Sequence, residues 1–279
     1  MNDADSKLFG SNLIIYGLAK LLTEHFRNSL LILSHLFSDY FSKQYRSSRA
    51  IVVDSDLDKE IPPCPEAIRT YFSFIPFIVG SLGLLRNEFE FHVREDINWI
   101  MDDMIDFYKN TGFIFEKAPT TLLSRTSKGI GLKILHFLDR PRNYFPSLHV
   151  VLVGYVYFRT CDIIDRFSNG KAGGYDLIKT GLFNKTFGIM EACLVTRQHG
   201  IRDIAGGLAV VTAKNPDFDR IAGELIDSMF LRNKFGMSDR VIDGIREEIK
   251  LTYRHLFDRF NNNPGQSYSD VLIDFIRKA

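Results

Sequence analysis

Thr196-Arg197-Gln198-His199-Gly200-Ile201-Arg202-Asp203-Ile204-Ala205-Gly206-Gly207-Leu208-Ala209-Val210-Val211 changes character halfway along. Its first half is polar and carries a histidine and a carboxylate four residues apart. On a helix that spacing puts both side chains on one face, where Asp203 can fix the orientation and tautomer of the His199 ring. Arg197 adds a cation just before them. Gly206 and Gly207 have no side chains, so a helix through them can approach a neighbour closely. The uncharged run Leu208, Ala209, Val210 and Val211 then reads as a helix packed in a core.

Working outward, the same period recurs along the whole chain. Apolar spacing predicts one or two helices over 8–45, then helices at 66–86, 88–110, 119–139, 147–167, 175–213, 216–232 and 237–261. A short terminal helix follows over 268–279. Turn-forming residues interrupt at 168–174 and 261–265, and residues 46–66 read as a polar linker with Pro62, Pro63 and Pro65. There is no internal repeat, low-complexity tract or sustained β alternation. The expectation is an all-α helical bundle, with an N-terminal helical extension and linker over 1–65 and a helical domain over 66–279.

Two further motifs precede the first stretch. Lys133-x6-Arg140-Pro141 places two cations two turns apart on one helix face, and Pro141 ends that helix at Arg140. Pro146-Ser147-Leu148-His149 then offers Ser147 as a helix cap, with His149 in the first turn. A helix start presents free N–H groups and partial positive charge, which suits a phosphate. Singly, each histidine reads as a core residue, the cations as a solvated face and Arg140-Pro141 as a helix stop. Their joint order points to a phosphate-ester site.

Taken together, the three motifs resemble the type 2 phosphatidate phosphatase superfamily, which also holds bacterial acid phosphatases and vanadium-dependent haloperoxidases. Leu148, with a cation two residues before the last histidine, is most similar to the branch of inositol phosphorylceramide synthases. The resemblance covers residues 133–203. It implies a helical bundle of that type and a metal-independent phosphatase or phosphotransferase. His199 would be the nucleophile forming a phosphohistidine, Asp203 would hold its ring, and His149 would be the general acid and then base. Lys133, Arg140 and Ser147 would bind the phosphoryl oxygens. The family's third motif has Arg six residues before this histidine, where Cys193 stands here, so Arg197 would substitute. That departure argues against vanadate as a cofactor.

Asp102-Asp103-x-x-Asp106 is a competing constellation, because carboxylates on adjacent helical turns can hold Mg²⁺ and a prenyl diphosphate. The alternative enzyme is therefore Mg²⁺-dependent and terpene cyclase-like. Against it, Ile97, Ile100, Met101, Met104, Ile105 and Tyr108 form an apolar stripe, leaving the aspartates on the opposite, solvated face continued by Glu95 and Asp96. A non-catalytic phosphate or lipid binder is the third alternative.

Composition narrows the partners. With 279 residues and 45% hydrophobic content the chain can bury a sizeable core. Lys+Arg 35 against Asp+Glu 34 gives a net charge of +1, which recruits no nucleic acid. The expected partner is a phosphorylated small molecule or a lipid or prenyl phosphate. Twenty-four Phe residues imply an aromatic core or an aromatic-lined pocket. Three scattered cysteines (Cys64, Cys161 and Cys193) and a polar N-terminal segment suggest a reducing, cytoplasmic setting. The longest charge-free runs, 70–85 and 143–158, are sixteen residues each. A spanning helix needs about 20, and the mean hydropathy is −0.06. No transmembrane helix is expected, while the first run could lie against a bilayer surface.

Overall fold

The computed structural model describes residues 11–42, 50–122, 132–133, 144–168, 172–232, 235–263 and 265–278. Its α-helices are α1 (Ser11–Glu24), α2 (Phe26–His35), α3 (Ile68–Phe72), α4 (Phe74–Phe89), α5 (Arg94–Lys117), α6 (Leu148–Phe167), α7 (Ala172–Val195), α8 (Ile201–Lys214), α9 (Phe218–Ser228), α10 (Asp239–Asn262) and α11 (Tyr268–Lys278). Among the described residues the only strands are β1 (Ile51–Val52) and β2 (Thr120–Thr121), a two-residue parallel pair. The fold is all-α, as the helical period implies.

Helix α8 lies at the centre, packed on α6, α9, α10 and α11. Every residue from Asp203 to Thr212 is buried. A helix that is apolar on all sides stays in water only when other helices enclose it. Its glycines provide the close approach their position suggests. A Cβ on Gly207 would stand 2.8 Å from the Ser147 carbonyl oxygen and 2.8 Å from Val150 Cβ, and one on Gly206 would meet the Phe145 ring at 2.7 Å. The N-terminus of α6 is thus pressed against the first turns of α8. Helix α6 itself is buried continuously from Leu148 to Tyr157 and contacts α4, α5, α7 and α8.

Four expectations change. Where a helix is expected over 119–139, Thr120–Thr121 form β2, and apart from 119–122 and 132–133 that range lies outside the described residues. The single helix over 175–213 is two, α7 and α8, separated by a corner at Thr196–Gly200. Arg197 there is in the left-handed region at φ 58, and Gly200 is an extended N-cap at φ −93 and ψ 173. Of the segment 46–66 expected as a polar linker, residues 50–66 are described, and they are partly packed into the fold. Val53, Ser55, Asp58 and Ile61 are buried, and a 3-10 turn (Asp56–Glu60) lies on that corner. The acidic face of α5 is not wholly solvated either. The stripe Ile97, Ile100, Met101, Met104, Ile105 and Tyr108 is buried as expected, yet Asp96 is buried too and pairs with Arg166 at 2.6 Å.

The aromatic residues divide between core and surface. Phe77, Phe107, Phe145, Phe218 and Phe230 are fully enclosed, whereas Phe26, Phe37, Phe72 and Phe91 are exposed. Ile15, Leu18, Leu22, Phe26 and Leu30 give α1 and α2 an exposed apolar face. One stretch within Pro65–Lys117 is apolar and long enough, by composition and length, to cross a membrane. Its mean hydropathy over 18 residues is 1.5, and half of that window is buried inside the fold.

Candidate active site

The two histidines and the aspartate meet where α6 and α8 begin. Ser147 is the N-cap of α6, and its Oγ accepts the Val150 N–H at 3.4 Å. His149 is therefore in the first turn, as the sequence implies. The Ser147 N–H donates to the Asp203 carbonyl at 3.0 Å, tying the two helix starts together. Thr120 holds the segment leading in, its Oγ1 accepting from the N–H groups of Tyr144 and Phe145 at 3.0 Å each.

His199 sits in the corner before α8, not within a helix. The fourfold spacing still delivers Asp203 to it, because Asp203 is the third residue of α8 and its Oδ2 turns back to accept the Gly200 N–H at 2.7 Å. His199 Nδ1 stands 3.7 Å from Asp203 Oδ2, a charge-pairing distance beyond hydrogen-bond range. The opposite nitrogen, His199 Nε2, lies 3.2 Å from His149 Nδ1. Both rings are buried, with 4% of His199 and 8% of His149 exposed, and Asp203 is fully enclosed.

Aromatic rings wall this pair. Tyr71 and Phe74 stand 4.6 and 4.5 Å from the His149 ring, centroid to centroid, and Tyr144 lies edge-on to His199 at 5.8 Å. Burial, reinforced by the nearby His199, holds the His149 imidazole well below its usual pKa and hence neutral. Burial pushes the Asp203 carboxyl up, and His199 opposes that shift by favouring the charged form. Low dielectric strengthens the attraction between opposite charges brought together at the two rings.

The remaining expected residues part company. Lys133 is exposed on a helical turn beside the buried Leu132, and Arg140 lies outside the described residues. Arg197 is committed to backbone partners. Its guanidinium donates to the backbone carbonyls of Asp58, Lys59 and Ile61, clamping the 3-10 turn onto the corner. The left-handed backbone at Arg197 directs the side chain there.

Asp102, Asp103 and Asp106 are far from the histidines. Lys214, at the opposite end of α8 from Asp203, bonds Asp103 at 3.0 Å and Asp106 at 3.4 Å, and Tyr155 donates to Asp103. Eleven residues of helix separate Asp203 from Lys214, about 16 Å at 1.5 Å per residue. Asp102 accepts from Asn28 at 3.1 Å. Among the described residues no group of three or more His, Cys, Asp or Glu side chains is arranged to hold a metal ion.

Sequence reasoning missed Asp58. It is buried, accepts the Ser55 N–H at 2.7 Å and the Ile201 N–H at 2.9 Å, and so caps the start of α8 from outside it. Burial, with Asp203 and Asp54 close by, raises its carboxyl to about 7. Its signal was local: Ser55-x-x-Asp58 has capping-box spacing, and so does Gly200-x-x-Asp203. Tyr71, Phe74 and Tyr144 had no comparable signal, since only the fold brings them to the site. No family model, curated protein or solved structure matches the chain.

Proposed function

We propose that the chain is a phosphoric ester hydrolase or phosphotransferase working through a phosphohistidine. The observation that carries this reading is the buried line Asp203 Oδ2, His199 Nδ1, His199 Nε2, His149 Nδ1, with spacings of 3.7 Å and 3.2 Å across the two gaps between groups. One ring is flanked by a carboxylate, which favours its Nδ1–H tautomer and leaves the Nε2 lone pair facing the second ring. That is the arrangement a nitrogen nucleophile and a proton carrier require.

The chemistry follows in two steps. His199 Nε2 attacks phosphorus, the P–N bond forms and the ester P–O bond breaks. His149 gives its proton to the departing oxygen. In the second step His149 takes a proton from water, or from an acceptor alcohol, whose oxygen attacks phosphorus and frees His199. The phosphoryl group replaces the direct contact between the rings. A neutral His149 gains its proton with the substrate, because a phosphate anion beside it favours the charged imidazole. Ser147 takes up the Val150 and Val151 N–H groups at the start of α6, which leaves those of Leu148 and His149 as donors for the phosphoryl oxygens. Lys133 and Arg140 remain the cations that the resemblance assigns to those oxygens.

Purified protein tests this with aryl phosphate, phosphatidate, and farnesyl mono- and diphosphate. Phosphate release that persists in EDTA and disappears in His199→Ala supports the reading. Release abolished by EDTA, or unchanged in His199→Ala, overturns it.

A further inference from the structure

We propose that Asp58 is a positioning residue of the His199 site: it fixes the corner that presents His199 to Asp203 and His149. The proposal rests on the phosphohistidine reading for its effect on turnover, but not for its effect on His199 itself. His199 has one residue between it and Ile201 and one between it and Arg197, and Asp58 holds both flanks. Its carboxylate Oδ1 accepts the Ile201 N–H at 2.9 Å, while its backbone carbonyl accepts from the Arg197 guanidinium. Gly200 lies against the same carboxylate, since a Cβ there would stand 2.9 Å from Oδ2.

The turn carrying Asp58 is itself anchored. Ser55 Oγ donates to Glu248 on α10, Leu57 abuts Gly244, and the Cys64 N–H donates to the Val195 carbonyl at 2.7 Å. Asp58 is thus the link through which a segment more than a hundred residues away sets the His199 backbone. Burying a carboxylate is costly unless its oxygens are bonded, and both oxygens here accept N–H groups. An amide at this position has one acceptor oxygen for two N–H donors, so either Ile201 at the corner or Ser55 on the turn loses its acceptor, and the fit of the turn against the corner changes. A merely structural cap would lower stability and leave the histidine geometry of the folded protein intact. A positioning residue changes that geometry.

The test compares wild type, Asp58→Asn, Gly200→Ala and Ser55→Ala. Gly200→Ala displaces the carboxylate without altering its charge, so it serves should Asp58→Asn fail to fold. Ser55→Ala removes the contact to Glu248 and the cap on the Leu57 N–H but keeps the Ser55 N–H on Asp58. In Asp58→Asn and Gly200→Ala, kcat falls about tenfold or more with KM held within about twofold, and the imidazole ¹⁵N signals of His199 move. In Ser55→Ala neither changes. Wild-type-like kcat and His199 signals in folded Asp58→Asn or Gly200→Ala would overturn the proposal. If wild type releases no phosphate from any substrate, the phosphohistidine reading fails alone. The His199 signals then decide the role of Asp58.

Discussion

Burial drives His149 and Glu191 toward neutrality from opposite sides. His149 loses its proton more readily because a buried imidazolium lacks solvation, and Glu191 keeps its proton to about 7 for the same reason. Glu191 sits on α7 and accepts the Phe230 N–H, with Arg246 partly offsetting its burial. For a carboxyl the folded value near 7 exceeds the unfolded value of 4.5. Between those limits the native state holds a proton that the unfolded chain has released, so stability falls as pH rises from about 4.5 to about 7. The shift corresponds to at most roughly 3 kcal/mol. Glu191→Gln keeps the oxygen that accepts from Phe230 and has no proton to lose. Denaturant melts at pH 5 and pH 8 should show a smaller gap in Glu191→Gln than in wild type. An unchanged gap would mean that Glu191 does not titrate in this range.

At the scale of elements, the site depends on two helix starts being pressed together. Gly207 is the contact point, and a methyl group there meets the Ser147 carbonyl and Val150 at 2.8 Å. Gly207→Ala should lower stability by about 1–3 kcal/mol, the usual range for overpacking, and displace the Ser147 cap that starts α6. Gly188→Ala is the control. It lies within α7 with nothing within 4 Å of the added carbon, so helix propensity alone applies and the change is neutral to about 1 kcal/mol stabilising. Thermal midpoints of the two variants should move apart. Equal midpoints would contradict the tight crossing of α6 and α8.

The same corner marks where the sequence could be read and where it could not. The four-residue spacing of His199 and Asp203 held because the backbone turn keeps them adjacent, even though His199 lies outside the helix. The cap at Ser147 and the buried stripe of α5 were legible because each is a local periodicity or a local hydrogen bond. The break at Thr196–Gly200 was not, since the signal at Gly200-x-x-Asp203 is embedded in a run otherwise suited to one long helix. The partners of Arg197 were hidden for a tertiary reason: the carbonyls of Asp58, Lys59 and Ile61 come from a segment distant in sequence. Asp96 is similar, its burial depending on Arg166 from another helix.

Across the whole molecule, α8 separates two charged clusters by its own length. The histidine site occupies its N-terminus and the Asp103, Asp106 and Lys214 cluster its C-terminus, where a cation also complements the helix dipole. Function assigned to the first end makes a direct prediction for the second. Phosphate release by the double variant Asp103→Asn, Asp106→Asn should stay within about twofold of wild type, a barrier change of about 0.4 kcal/mol. Added Mg²⁺ should leave the rate unchanged. A large loss in that variant, or activation by Mg²⁺, would move the chemistry to the acidic end.

The phosphohistidine is the central claim, and rapid quenching with a ³²P-labelled substrate tests it most directly. The account predicts label on His199, stable in base and lost in acid, absent from His199→Ala and formed fast enough to precede product. Product released without labelled His199, or label carried by another residue, would contradict it.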